Sequence, residues 1–119
     1  YVPDTFGHIA QLPQILRGFG LDTFVFARGL YEPENDLKLE FYWDAPDGSS
    51  VLALHQRFHY NNAVFLGYRI GWGDTENLVQ DRKLAIKQLE DACKALEPHT
   101  RSSCLLLNNG VDHSEHQSD

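Results

Sequence analysis

The chain has 119 residues, of which 42% are hydrophobic and 23% charged, an ordinary globular composition for one domain with a modest core. Its 10 Lys+Arg against 17 Asp+Glu give a net charge of −7, which argues against binding phosphate backbones or anionic membrane surfaces. No apolar run approaches the ~20 residues needed to span a bilayer, and the N-terminus lacks the charged-then-apolar pattern of a secretory signal. Nucleic acid and membrane are therefore not expected as partners.

Tyr1-Val-Pro-Asp-Thr presents an acid, Asp4, on a sharp turn, and the chain contains no Met. This start reads as the remnant of a strand, Tyr1-Val2, and residues 1–119 are expected to form one domain. Ile9, Leu12, Leu16 and Phe19 then recur at helical spacing. Pro13 fits a helix that starts near Ile9, because first-turn N–H groups have no intrahelical partner to lose. Gly18 and Gly20 end it. Asp22 to Ala27 is aromatic and β-branched, the pattern of a short buried strand.

Tyr31 to Asp36 reads as a polar connection. Leu37 to Trp43 places Leu37, Leu39, Phe41 and Trp43 on one face of a half-exposed strand. Ala45-Pro-Asp-Gly-Ser49 supplies turn chemistry, and Val51 to His55 a second strand. The pair predicts a β-hairpin appended to an α/β core. Asp74 to Leu96 predicts the longest helix, capped by Asp74 or Thr75, with Leu78, Val79, Ala85, Ile86, Leu89, Ala92, Cys93 and Leu96 as its buried stripe. Ser103 to Leu107 is a continuous apolar run, expected to be a buried parallel strand. Cys93 and Cys104 are read as buried residues of that helix and strand. They form no metal-binding pair, and a reducing, cytoplasmic setting is the simpler expectation. The tail from Ser114 is polar and expected to fray.

Three charged residues share an address. Arg28 follows the first predicted strand, Asp112 follows the Leu105–Leu107 run, and Asp4 follows the Tyr1-Val2 remnant. In α/β folds the carboxyl ends of strands are where active sites assemble, and an Arg beside an acid favours its charged form. Plainer readings stand beside this one. Asp4 can be a helix cap or turn former, Arg28 a surface ion-pair residue, and Asp112 a turn residue after Gly110. Phe58 and Tyr60 can be packing residues. His8, His55, His59, His113 and His116 show no metal-ligand spacing; Asp4 and His8 stand at i,i+4.

Taken together, Tyr1 to Gly20, Phe26-Ala-Arg-Gly29, Phe41 to Ser50 and Leu105-Leu-Leu-Asn-Asn-Gly-Val-Asp-His113 strongly resemble glycoside hydrolase family 38, the zinc-dependent α-mannosidases of bacterial type. The resemblance runs over essentially the whole chain. It implies a fragment of an N-terminal catalytic domain, a partial (β/α) barrel with mostly parallel strands and an appended β-hairpin. It also implies retaining hydrolysis of α-mannosides or mannosylated oligosaccharides by a longer, homo-oligomeric protein. By its motifs Asp4 matches the nucleophile and a Zn2+ ligand, and Asp112 the general acid/base. Arg28 and Tyr60 match substrate-binding residues, whereas His8 is not among the family's ligands.

Retaining hydrolysis needs two carboxyl groups about 5–5.5 Å apart, one charged and one protonated. The family's other zinc ligands come from a His-x-Asp motif upstream and a distant downstream His, so the isolated chain is expected to be inactive and to bind zinc weakly or not at all. Two other readings compete. One is a non-catalytic carbohydrate-binding or interaction module with the same fold. The other is a metal-dependent deacetylase or amidohydrolase, which would need a closer histidine pair than His55 and His59, ~13 Å apart if both lie on one strand.

Overall fold

The structure is a computed structural model and describes residues 1–30, 37–68, 80–110 and 112. The predicted connection at 31–36, the helix segment at 74–79, His113, His116 and the tail from 114 lie outside the described residues.

The first helix, α1 (Leu12–Gly18), begins three residues later than its apolar periodicity implies. Pro13 sits in its first turn and is buried. Leu12 and Leu16 reach the core, whereas Ile9 precedes the helix and is exposed together with Ile15 and Phe19. Gly20, at φ +74°, closes the helix in a left-handed C′ conformation, with Leu21 N–H bonded to Leu16 O and Gly20 N–H to Arg17 O.

Three strands follow: β1 (Thr23–Phe26), β2 (Glu40–Asp44) and β3 (Ser50–His55). β2 and β3 form the predicted antiparallel hairpin, its turn held by Asp47, which accepts from the Ser49 N–H and hydroxyl. The hairpin is not an appendage. The strand order is β1-β3-β2, so β3 is central and pairs in parallel with β1, Phe24 beside Ala53 and Phe26 beside His55. The sheet is mixed. The N-terminal remnant continues it, since Val2 bridges Phe26 in parallel and Val2 N–H bonds Val25 O at 2.9 Å.

Alternation along the strands sorts the two faces. Phe24, Phe26, Val51 and Ala53 form the buried cluster, against which Leu12, Leu16, Phe41 and Trp43 pack. On the other face Leu52 and Leu54 join Leu39, Leu96, Leu105 and Leu106 around a groove of 420 Å³.

Two expectations about burial are corrected. Residues 103–107 form no strand, and Cys104 is exposed rather than buried. The Ser102 hydroxyl oxygen accepts from the Cys104 N–H, so a local side-chain bond takes a backbone donor that a ladder would use. A continuous apolar run signals covering on both faces, and in the described structure the run has the groove on one side only.

The long helix α2 (Arg82–Leu96) is capped by Asp81, not Asp74 or Thr75; Asp81 Oδ1 accepts from the N–H groups of Lys83 and Leu84. Its stripe is also less buried than its periodicity implies. Leu96 is buried and Cys93 half-buried, but Ile86 is 55% and Leu89 39% exposed. Periodicity marks a face for burial without naming the partner that would cover it. Among the described residues no helix is long and apolar enough to cross a membrane.

Candidate active site

Because β1, β3 and the Val2 segment run in the same direction, their carboxyl ends meet at one edge of the sheet. Asp4 leaves that edge two residues after Val2, Arg28 two residues after β1, and the Phe58-His59-Tyr60 turn three residues after β3. The fourth wall comes from the far end of the chain. Asn62 accepts the Asn108 N–H and donates to Leu106 O, while the Asn108 side chain donates to the Tyr1 hydroxyl. These bonds seat residues 106–108 beside the edge and bring Asp112 to it. The result is an open cleft of 760 Å³ lined by Asp4, Arg28, Phe58, His59, Tyr60 and Asp112 among others.

Arg28 is held from every side. Its backbone N–H donates to Pro3 O, and its carbonyl accepts from His8 Nε2 at 2.8 Å. Its Nε lies 2.7 Å from Asp4 Oδ1 and donates to His59 Nε2 at 2.7 Å. Its guanidinium carbon sits 5.5 Å from the centroid of the Phe6 ring. The Asp4 and Arg28 side chains are each 39% exposed, so the pair adds little to fold stability and chiefly shapes the charge of the cleft.

His8 serves the same construction. Its ring meets Phe24, Phe26 and Trp43 edge-on, and Nε2 spans Thr5 Oγ1 and Arg28 O. Gly29, at φ +97°, lets the backbone pass: a Cβ there would lie 2.7 Å from the His8 ring. His8 thus ties the Asp4 turn to the exit of β1. His55 is buried, stacks on Phe26 and bonds Ala27 O through Nε2.

Phe58 and His59 have φ of +65° and +85°. Two successive bulky residues in the left-handed region cost of order 1–3 kcal/mol each, and such strain gathers where a side chain must be placed. The strand ends at His55, so His59 is not on it and the strand spacing considered for His55 and His59 does not apply. Tyr60 packs on the His59 ring, centroids 4.2 Å apart, and its hydroxyl donates to Asp112 Oδ1 at 2.9 Å. That bond, with desolvation and the nearby carboxylates, raises the Tyr60 pKa above its ordinary value despite the opposing charge of Arg28.

A sequence model of the Glycosyl hydrolases family 38 N-terminal domain matches residues 1–119. The chain belongs to glycosyl hydrolase family 38. It is 33% identical to a protein of Halalkalibacterium halodurans named "Putative mannosylglycerate hydrolase", over all of this chain and 13% of that protein. It is 42% identical over 53 residues to alpha-mannosidase G of Dictyostelium discoideum, covering 44% of this chain and 5% of the relative. The structure superposes on an alpha-mannosidase from Enterococcus faecalis V583 with a TM-score of 0.74 and 28% identity, over 95% of this chain and 12% of that one. The chain thus spans a small part of the family 38 proteins it matches.

Zinc, implied by the family 38 resemblance, can be tested against the residues present. Asp4 Oδ1 is buried and accepts no hydrogen bond, as a ligand oxygen would. Among the described residues, however, no three His, Cys, Asp or Glu side chains are grouped to hold a metal ion. One carboxylate does not make a zinc site, so these residues alone do not fit one.

Asn62 and the role of His59 escape sequence reasoning. A single Asn in a polar stretch carries no local signal of a long-range bond. The His59 contact depends on a backbone conformation that no residue type there announces.

Proposed function

We propose that the chain is an internal segment of a longer retaining α-mannosidase, part of a (β/α) barrel, and supplies the two carboxylates of its reaction. The single observation that carries this reading is the convergence of Asp4, Arg28, Tyr60 and Asp112 on one cleft at the carboxyl ends of parallel-running segments. Asp4 attacks the anomeric carbon and forms a covalent glycosyl intermediate. Asp112 protonates the departing oxygen, then takes a proton from the water that releases the sugar. Tyr60 serves Asp112 in both forms, since a phenol donates to a carboxylate and accepts from a carboxylic acid. Arg28 keeps a positive charge beside Asp4 and contacts the sugar together with Tyr60.

Zinc belongs to this proposal for the longer protein only, with Asp4 as one ligand and the others from outside these 119 residues. The isolated chain is then inactive. A cytoplasmic, homo-oligomeric enzyme completes the reading, in keeping with the free thiols of Cys93 and Cys104. The relative that matches over the whole chain favours one narrower substrate, mannosylglycerate.

The test uses the longer protein. Hydrolysis of 4-nitrophenyl α-mannoside and of mannosylglycerate is measured with and without a chelator, for the wild type and Asp4→Asn. Chelator-sensitive hydrolysis lost in Asp4→Asn supports the proposal, and the preferred substrate decides between the two. A folded protein that cleaves neither, or one indifferent to Asp4, overturns it.

A further inference from the structure

We propose that His59 is a positioning residue that takes the Nε proton of Arg28 and so leaves Asp4 Oδ1 charge-paired but without a hydrogen bond. This rests on the reading of Asp4 as nucleophile. An arginine Nε carries one proton, yet Arg28 Nε has two acceptors at 2.7 Å, Asp4 Oδ1 and His59 Nε2. Only the direction to His59 satisfies hydrogen-bond geometry. Asp4 Oδ1 is correspondingly buried and accepts no hydrogen bond. The guanidinium charge stays beside the carboxylate while no donor draws on Oδ1, so the carboxylate keeps more of its electron density for attack through its other oxygen, because a carboxylate engaged by a donor is a poorer nucleophile.

The assignment dictates a tautomer. His59 Nε2 accepts, so its ring proton sits on Nδ1, whereas His8 Nε2 faces the Arg28 carbonyl and must donate, so its proton sits on Nε2. It also accounts for the strained turn: φ of +65° and +85° at Phe58 and His59 place the ring between Arg28 and Tyr60, and strain of this kind persists only where placement requires it.

The experiment has two arms. In the ¹⁵N-labelled 119-residue chain, long-range proton–nitrogen spectra read the His59 tautomer, and solvent exchange of the Arg28 Nε–H is compared in wild type, His59→Gln and His59→Gly. The expected results are an Nδ1–H ring and exchange about tenfold faster in His59→Gly, with His59→Gln near wild type because its amide oxygen can accept the same proton. Glycine at φ +85° relieves the backbone, so thermal unfolding of that variant should not fall below wild type. In the longer protein, His59→Gly should lower kcat roughly tenfold at unchanged KM, and His59→Gln should restore it. An Nε2–H ring, or Arg28 exchange indifferent to His59→Gly, overturns the proposal, as does an unchanged kcat in an active enzyme. A longer protein inert towards mannosides whose chain shows the expected spectra overturns the mannosidase reading while the His59–Arg28 contact stands.

Discussion

Tyr60 donates its hydroxyl to Asp112 Oδ1 at 2.9 Å, a bond between residues 52 positions apart that closes the cleft across from Asp4. Tyr60→Phe deletes that bond and little else. In the longer protein its kcat/KM should fall roughly 10- to 100-fold, by misplacing the acid/base carboxyl, with little loss of stability. A wild-type rate would remove Tyr60 from the machinery. The pH dependence has a definite sign. The folded-state pKa of Tyr60 is raised, so whatever the bond contributes is present below the ordinary value of 10 and lost as pH rises through the higher folded value. A phenolate absorbance titration should show a late-ionising tyrosine that disappears in Tyr60→Phe.

The Asp4–Arg28 pair separates charge from stability. Because both side chains are 39% exposed, Asp4→Asn in the 119-residue chain should change unfolding stability by less than about 1 kcal/mol. Denaturant unfolding checks this, and a loss of several times that size would make Asp4 a structural residue first.

Gly29→Ala should be far more damaging than its size suggests. The added Cβ would sit 2.7 Å from a His8 ring wedged among three aromatic side chains, on a backbone at φ +97°. A loss of about 2–4 kcal/mol is expected, seen as a lowered denaturant midpoint. Stability within error of wild type would mean that the His8 contact is dispensable.

Glu40 ties β2 to the segment after α2. Burial works to raise its pKa, but the Arg101 N–H and the Thr100 and Ser102 hydroxyls together outweigh burial and hold it below the ordinary value of 4.5. Its contribution is therefore complete above about pH 4.5 and lost as pH falls through the lower folded value. Glu40→Gln should cost about 1–2 kcal/mol near neutral pH and flatten the acid limb of the stability profile. An unchanged acid limb would show that these bonds carry no net free energy.

Zinc titrated into the 119-residue chain should give no tight binding by calorimetry, because the described residues group no three ligands. A tight one-to-one isotherm would require ligands that the cleft geometry does not reveal.

Much of this was legible from local pattern. The Phe24–Phe26 strand, the hairpin and its Asp47-Gly48 turn, and the body of α2 follow from short-range chemistry in which each residue answers to near neighbours. The address of Asp4 and Arg28 beyond parallel-running segments could be argued from chain order; Asp112 reaches the same cleft, with Tyr60, although the run before it is no strand. Burial was less legible. Ile86, Leu89 and Leu106 carry the periodicity or apolarity of core residues yet stand exposed, since hydrophobicity states that a face can be covered and not by what.

Short-range pattern set most of the helix, strand and turn segments, though not residues 103–107, and the motifs set the family, because propensity acts over a few residues. Long-range contacts alone place β3 between β1 and β2, seat the 106–108 segment on Asn62, and send the Arg28 Nε proton to His59 rather than Asp4. Those outcomes depend on the register and direction of segments distant in the chain, which short-range pattern does not encode.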